Sequence, residues 1–181
     1  EGTFPLELYK KAGDAGFLGL GSPEEYGGTP ADIFHQVAYT EEILRCGSVG
    51  LVSSLGSSAI AVPPILALGT EAQKRKYVPP VLAGDQVAVL GVTEPSGGSD
   101  VANLLTRAVR KGDTFIVNGS KTFITSGTRA DYVTTAVRTG GPGHSGISLL
   151  VIERGTPGFT VSKKLEKMGW WASDTAELSF D

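Results

Sequence analysis

The sequence predicts an α+β protein of two domains: a helical N-terminal bundle over residues 1–86, then an antiparallel β-barrel or sandwich over 87–181. Two observations carry this. Up to about Asp85 the chain shows helix caps and apolar residues spaced three and four apart, and beyond it the apolar residues alternate with a period of two. A run of helices followed by a run of strands argues for segregated domains and against alternating βαβ units. At 181 residues, two modest domains fit the length.

The elements follow in order. Thr3 ahead of Phe4-Pro5 reads as a cap with proline in the first turn, and Leu8, Ala12 and Ala15 continue at helical spacing. Thr29-Pro30-Ala31-Asp32 caps a second helix with Ile33, Val37 and Leu44 on one face and Gly47 as its stop. The small apolar run Gly50–Ala61 reads as a buried helix. Thr70-Glu71-Ala72-Gln73 is a capping box, and Pro79-Pro80 should end the helix it starts near Lys76 or Tyr77. After Asp85 comes the apolar strand Val87–Leu90. Phe115–Val117 and Lys121–Thr125 flank Asn118-Gly119, the dipeptide that best suits a type I′ hairpin turn. Tyr132–Arg138, Ile147–Ile152 and Thr175–Phe180 read as further strands, with Gly140–Gly143 as a loop. The last strand reads as still in progress at Asp181 and the sequence does not open on Met, so a piece of a longer protein is expected.

Composition excludes several classes. With 40% apolar residues, 19% charged residues and a net charge of -3, the chain resembles an ordinary globular protein. No basic cluster exceeds Lys74-Arg75-Lys76, which argues against nucleic acid. The single Cys46 allows no internal disulfide and no thiolate metal set, and reads as a small buried hydrophobe. The apolar stretch Ala59–Leu68 is too short to span a bilayer and contains Pro63-Pro64, and no signal peptide opens the chain, so a cytoplasmic location is expected. His35, read as mid-helix, and His144, in a Gly-rich loop, stand alone as surface or packing residues, and no His or carboxylate pair has metal-ligand spacing.

The stretch Gly91-Val92-Thr93-Glu94-Pro95-Ser96-Gly97-Gly98-Ser99-Asp100 interrupts this pattern. It is either a generous surface connection or an ordered loop whose small side chains leave backbone N–H groups and hydroxyls open to a flat polar ligand. It lacks the lysine of a phosphate-cradling loop and the following helix of a dinucleotide fingerprint. This stretch resembles the flavin-loop signature of the acyl-CoA dehydrogenases: a small residue, an aliphatic, Ser or Thr and then Glu, ahead of Gly-Ser/Thr-Asp. Asn118–Gly127 resembles the family's second flavin segment, Lys167–Thr175 its later loop, and Gly69–Lys74 through Gly84-Asp85 the end of its helical domain. Two departures stand out: Asn103, where a small residue is usual, and the missing arginine near Trp171.

The resemblance implies FAD as cofactor and a reaction in which the α-carbon of an acyl-CoA thioester loses a proton while the β-hydrogen leaves as hydride for the flavin N5. It implies cofactor contacts from Leu90, Gly91, Val92, Thr93, Gly98, Ser99, Phe123, Ile124 and Thr125. In that reading the Thr93 hydroxyl meets the ring, Phe123 stacks where relatives carry tryptophan, Thr125 donates a hydrogen bond, and Ser99 also meets the CoA portion of the substrate. Asp100 would hold the loop by accepting backbone N–H bonds. Without the resemblance, Phe123 reads as an ordinary inward strand residue. Glu94 is tempting as a base, yet the family's catalytic carboxylate lies in a C-terminal helical bundle absent here, so no catalytic residue is expected and Glu94 reads as structural. Trp170 and Trp171 should point to opposite faces of an extended segment, one inward and one toward a partner. The resemblance further implies fatty acid metabolism, an electron-transfer flavoprotein as acceptor, and homotetramers of the full-length protein. An acyl-CoA oxidase or flavin monooxygenase on the same scaffold, or a non-catalytic binding module, are the competing readings.

Overall fold

The computed structural model describes residues 3–181, grouped into two compact units, the described residues up to Ala88 with Lys167–Asp174, and Val89–Glu166 with Thr175–Asp181. The first unit is helical: α1 Glu7–Asp14, α2 Ile33–Leu44, α3 Val49–Leu55, α4 Ser58–Ala61, α5 Pro63–Leu68 and α6 Glu71–Leu82. The second is a curled mixed sheet of β1 Ala88–Gly91, β2 Arg107–Lys111, β3 Thr114–Thr125, β4 Tyr132–Arg138, β5 Ile147–Glu153, β6 Phe159–Lys164 and β7 Thr175–Phe180. Its strand order is β1-β4-β2-β3-β7-β6, with β5 on β4. The long ladders are antiparallel, and the single Arg107–Arg138 pair between β2 and β4 is parallel.

The capping box expected at Thr70 forms, and the cap expected at Thr29–Asp32 resolves into a second box at Asp32. Asp32 accepts from the Phe34 and His35 amides and Thr70 from the Gln73 amide, so His35 sits at the start of α2 and not in its middle. At α1 the structure departs from expectation, because the helix begins at Glu7 and no side chain caps it. Nor does α6 stop before its prolines. It runs through Pro79 and Pro80 to Leu82, because Val78, Val81 and Leu82 are buried and anchor the last turn, while the proline carbonyls bond the Ala83, Asp85 and Gln86 amides.

The run Val49–Leu68, at 20 residues and mean hydropathy 1.7, is long and apolar enough to cross a membrane by length and composition, and longer than the ten residues singled out from sequence. Here it is three helices, broken at Gly56-Ser57 and Val62, with Leu55, Ala61, Val62 and Ile65 in the core. The Tyr9 hydroxyl ties α1 to this run by donating to the Ser54 carbonyl at 2.9 Å. No residue of α2 is buried, and Cys46 just beyond it is exposed, contrary to its expected place in a core.

The segment Lys167–Asp174, expected within the β-domain, groups with the helices. Its Ser173 hydroxyl accepts from Ser54 at 3.0 Å, with both residues buried. Trp170 and Trp171 are both exposed, at 59% and 64%, because the segment turns, with Trp170 at φ 55°, and is not extended. Neither packs inward as expected.

The hairpin is also displaced. Asn118-Gly119 lies inside the twelve-residue β3, and the turn is Gly112-Asp113, where Lys111 pairs with Thr114 and Gly112 has φ 64°. Gly119 serves a different end: at φ 146°, a Cβ placed on it would lie 2.6 Å from the Thr106 hydroxyl and 2.7 Å from the Thr106 Cα. The dipeptide marks a crossing of two backbones. Gly119→Ala should therefore cost about 1–3 kcal/mol in urea denaturation, the scale of a strained backbone position. Gly112→Asn, at a turn position that Asn tolerates, should cost far less. Equal losses would contradict the assignment of the turn.

Candidate functional site

The sequence expects two segments in the site, Leu90–Ser99 and Phe123–Thr125, and the structure ties the first to the residues just ahead of the second. Three successive loop residues bind two successive residues of β3. The Val92 carbonyl accepts from Lys121 Nζ at 2.9 Å, the Thr93 carbonyl from the Thr122 amide at 2.9 Å, and Glu94 Oε1 from Lys121 Nζ at 2.9 Å. A tight turn closes the loop, with Glu94 and Gly97 exchanging backbone bonds at 3.0 Å.

Glu94 and Lys121 are buried, their side chains 3% and 0% exposed. Beyond the ion pair, Glu94 Oε1 accepts from the Thr106 amide at 2.9 Å, and Oε2 from the Leu105 amide at 2.7 Å and the Ser96 hydroxyl at 3.4 Å. Both oxygens are thus fully engaged. Burial alone would push the Glu94 carboxyl up, but the bonds from Thr106, Lys121 and Leu105 outweigh it and hold the pKa at about 2. Burial pushes the Lys121 ammonium below its ordinary value, and the Glu94 carboxylate pulls it back up. Glu94 is therefore a structural carboxylate with no lone pair to spare for taking a proton.

Immediately after this anchor, β3 bulges. Its register against β7 shifts between Lys121 and Ile124, and Phe123 adopts φ 59°, rare for a bulky residue. The bulge leaves the Phe123 ring 67% exposed, so it is not an inward strand residue. Ile124, by contrast, is 3% exposed, and its side chain belongs to the core with Ala176 and Leu178. Only its backbone can serve a ligand. Thr125 is half-buried and pairs with Thr175.

Along the loop, Leu90, Val92, Thr93 and Gly98 are half-buried, Gly91 is buried, and Ser99 and Asp100 are exposed. Gly98 lies against Thr93, where a Cβ would stand 3.3 Å from the hydroxyl oxygen. The Asp100 carboxylate accepts from the Asn103 side-chain amide at 2.5 Å, and not from backbone amides as the sequence suggested. Asn103 thus supplies the partner. Two cavities, of about 460 Å³ in the β unit and 660 Å³ in the helical unit, include none of the nine expected cofactor residues. Among the described residues no cluster of His, Cys, Asp or Glu could hold a metal.

The residue anchoring the loop that sequence reasoning missed is Lys121. Its signal was Glu94 itself, since a carboxylate in an otherwise small, uncharged stretch needs a partner when buried.

Comparison with known proteins bears on the whole chain. Residues 1–85 match the family model for the acyl-CoA dehydrogenase N-terminal domain, and residues 89–181 match the model for its middle domain. The chain belongs to the acyl-CoA dehydrogenase family. An acyl-CoA dehydrogenase of Bacillus subtilis is 43% identical over 180 residues, 98% of this chain and 47% of that protein. The crystal structure of a probable acyl-CoA dehydrogenase from Mycobacterium abscessus is 57% identical with a TM-score of 0.96, over 99% of this chain and 48% of the other. A glutaryl-CoA dehydrogenase from Mycobacterium smegmatis, solved in complex with FADH2, is 34% identical with a TM-score of 0.88, over 99% of this chain and 45% of the other. The chain spans about half the length of the acyl-CoA dehydrogenases it matches.

The pH dependence follows from Glu94. Its folded pKa is depressed to about 2, so its stabilisation is complete above the ordinary carboxylate value of 4.5 and drains away as pH falls through the folded value. Glu94→Gln should flatten this acid slope. At neutral pH it should cost about 3–5 kcal/mol in denaturant unfolding, as breaking a buried pair does. An unchanged acid slope in the variant would contradict the assignment.

Proposed function

We propose that this chain is the helical and middle portion of a flavoprotein that α,β-dehydrogenates an acyl-CoA thioester with FAD. The observation that carries the reading is the bond-for-bond attachment of the Val92–Glu94 loop to Lys121-Thr122, directly beside the outward Phe123 ring. The residues present suit a flat ring: an exposed aromatic held in a strained conformation on one segment, and a half-buried hydroxyl beside glycine on the other. Bound FAD supplies the acceptor for the substrate's β-hydrogen as hydride.

The chain's own residues bind and orient. Thr93 and the backbone of Leu90–Val92, Gly98 and Ser99 offer donors for the side of the ring that gains charge, where each well-aimed donor is worth about 2.7–4 kcal/mol in a dry site. Phe123 covers a ring face and excludes water, with the Ile124 backbone and Thr125 beside it. Ser99, exposed at the end of the loop, is placed for the CoA portion. Glu94 takes no proton because its lone pairs are filled, so the base that removes the α-proton comes from outside this chain. An electron-transfer flavoprotein as acceptor, homotetrameric assembly and a role in fatty acid metabolism are further parts of this reading, supported by kinship with the family; a cytoplasmic location is a part of it that rests on the sequence alone.

FAD titration of the 181-residue chain, followed by flavin absorbance, should show binding of micromolar strength or weaker and no turnover of acyl-CoA. Submicromolar binding with full turnover would contradict the division of labour. In the longer protein, Phe123→Ala should weaken FAD binding, and Thr93→Val with Ser99→Ala should weaken both FAD and acyl-CoA binding. Unchanged affinities would favour a non-catalytic module.

A further inference from the structure

We propose that Glu94 and Lys121 are a positioning pair for the cofactor, setting the register of the Val92–Ser99 loop against the Phe123 bulge. The inference rests on the reading above that FAD is bound here. The argument starts from cost. Two charges with 3% and 0% exposure forgo hydration, and their mutual attraction repays this only where geometry and further hydrogen bonds are good. Apolar residues of similar volume would fill the same space at comparable stability, but they would fix nothing along the chain. The best-attested return on a buried polar pair is registry.

What the pair registers can be traced bond by bond. Glu94 Oε1 holds the Thr106 amide, the Thr106 hydroxyl donates to the Ser120 carbonyl at 3.2 Å, and Lys121 returns to Glu94. This closes a ring through residues 94, 106, 120 and 121, which the tight approach of Gly119 to Thr106 reinforces. The same ammonium holds the Val92 carbonyl, and the Thr122 amide holds Thr93 between them. Phe123 comes next, with its backbone in the left-handed region. Sliding the loop by one residue would break the contacts of Val92, Thr93 and Glu94 together and carry Thr93 away from the bulge. Lys121 lies on the loop's inner side with no exposed surface, so it acts on a ligand through the backbone of Val92–Glu94 and not by touching it. The paired charges are opposite and adjacent, so the effect is one of position.

The test uses the longer protein purified with FAD: wild type, Lys121→Met, Glu94→Asp and, as a control for lost stability, Ile152→Ala in β5, in the core of the same unit. Lys121→Met keeps the apolar stem and deletes both bonds. Glu94→Asp keeps the charge, in case the larger change prevents folding, and shortens the reach by one methylene. Both should lower FAD affinity by about tenfold or more, the scale of outer-sphere partners at metal sites, and blur the vibronic structure of the bound flavin spectrum. Ile152→Ala should lower the melting temperature at least as much while leaving affinity within about twofold and the spectrum sharp. Folded Lys121→Met or Glu94→Asp protein with wild-type affinity and spectrum would overturn the inference, as would a control that loses affinity in step with its stability. Wild-type protein that binds no FAD would remove the functional reading itself.

Discussion

The buried ion pair between Glu94 and Lys121 is the constraint on which the second unit's functional face depends. It joins a loop to a strand 27 residues away, and it satisfies the Leu105 and Thr106 amides just where the chain enters β2. Without a partner either charge would be intolerable at this depth. With one, the loop, the start of β2 and the middle of β3 become a single fixed object. The Phe123 bulge follows because β3 is pinned at Lys121-Thr122 on one side and by Ile124 in the core on the other. The residue between them is left to absorb the mismatch.

That object presents chemistry on one unit only. It combines an aromatic ring, a hydroxyl and a row of small residues, and the one buried carboxylate in its loop, Glu94, is not available as a base. The relatives this chain matches are about twice as long. The helical unit contributes differently. Its core is closed by Tyr9, Leu55, Val62, Ile65, Val78 and Val81, whereas α2 keeps Ile33, Phe34 and Val37 exposed.

Much of this was legible because the deciding physics is local. Capping boxes at Asp32 and Thr70 involve residues three apart, and the strands Tyr132–Arg138 and Thr175–Phe180 show as apolar or β-branched runs between turn residues. The loop was legible as an interruption, and Glu94 as structural. The errors arose where distant contacts override local preference. Asn118-Gly119 looks like a turn until one knows that Thr106 passes against Gly119. Pro79-Pro80 looks like a stop until burial of Val81 and Leu82 is counted. β2 and β6 went unread because Arg107–Lys111 buries only Ala108 and Phe159–Lys164 buries nothing, so neither shows a half-buried alternation. Lys121, a charged residue in an ordinary strand, gave no sign of its own burial.

The most direct measurement of the central claim is amide hydrogen exchange of Leu105, Thr106 and Thr122, the backbone groups whose partners are Glu94 and Thr93. The account predicts that all three exchange only through global unfolding, as slowly as the buried β4 amides of Val133 and Val137. Exchange faster by orders of magnitude, through local opening of the loop while β4 stays protected, would show that the pair does not fix the loop to the sheet.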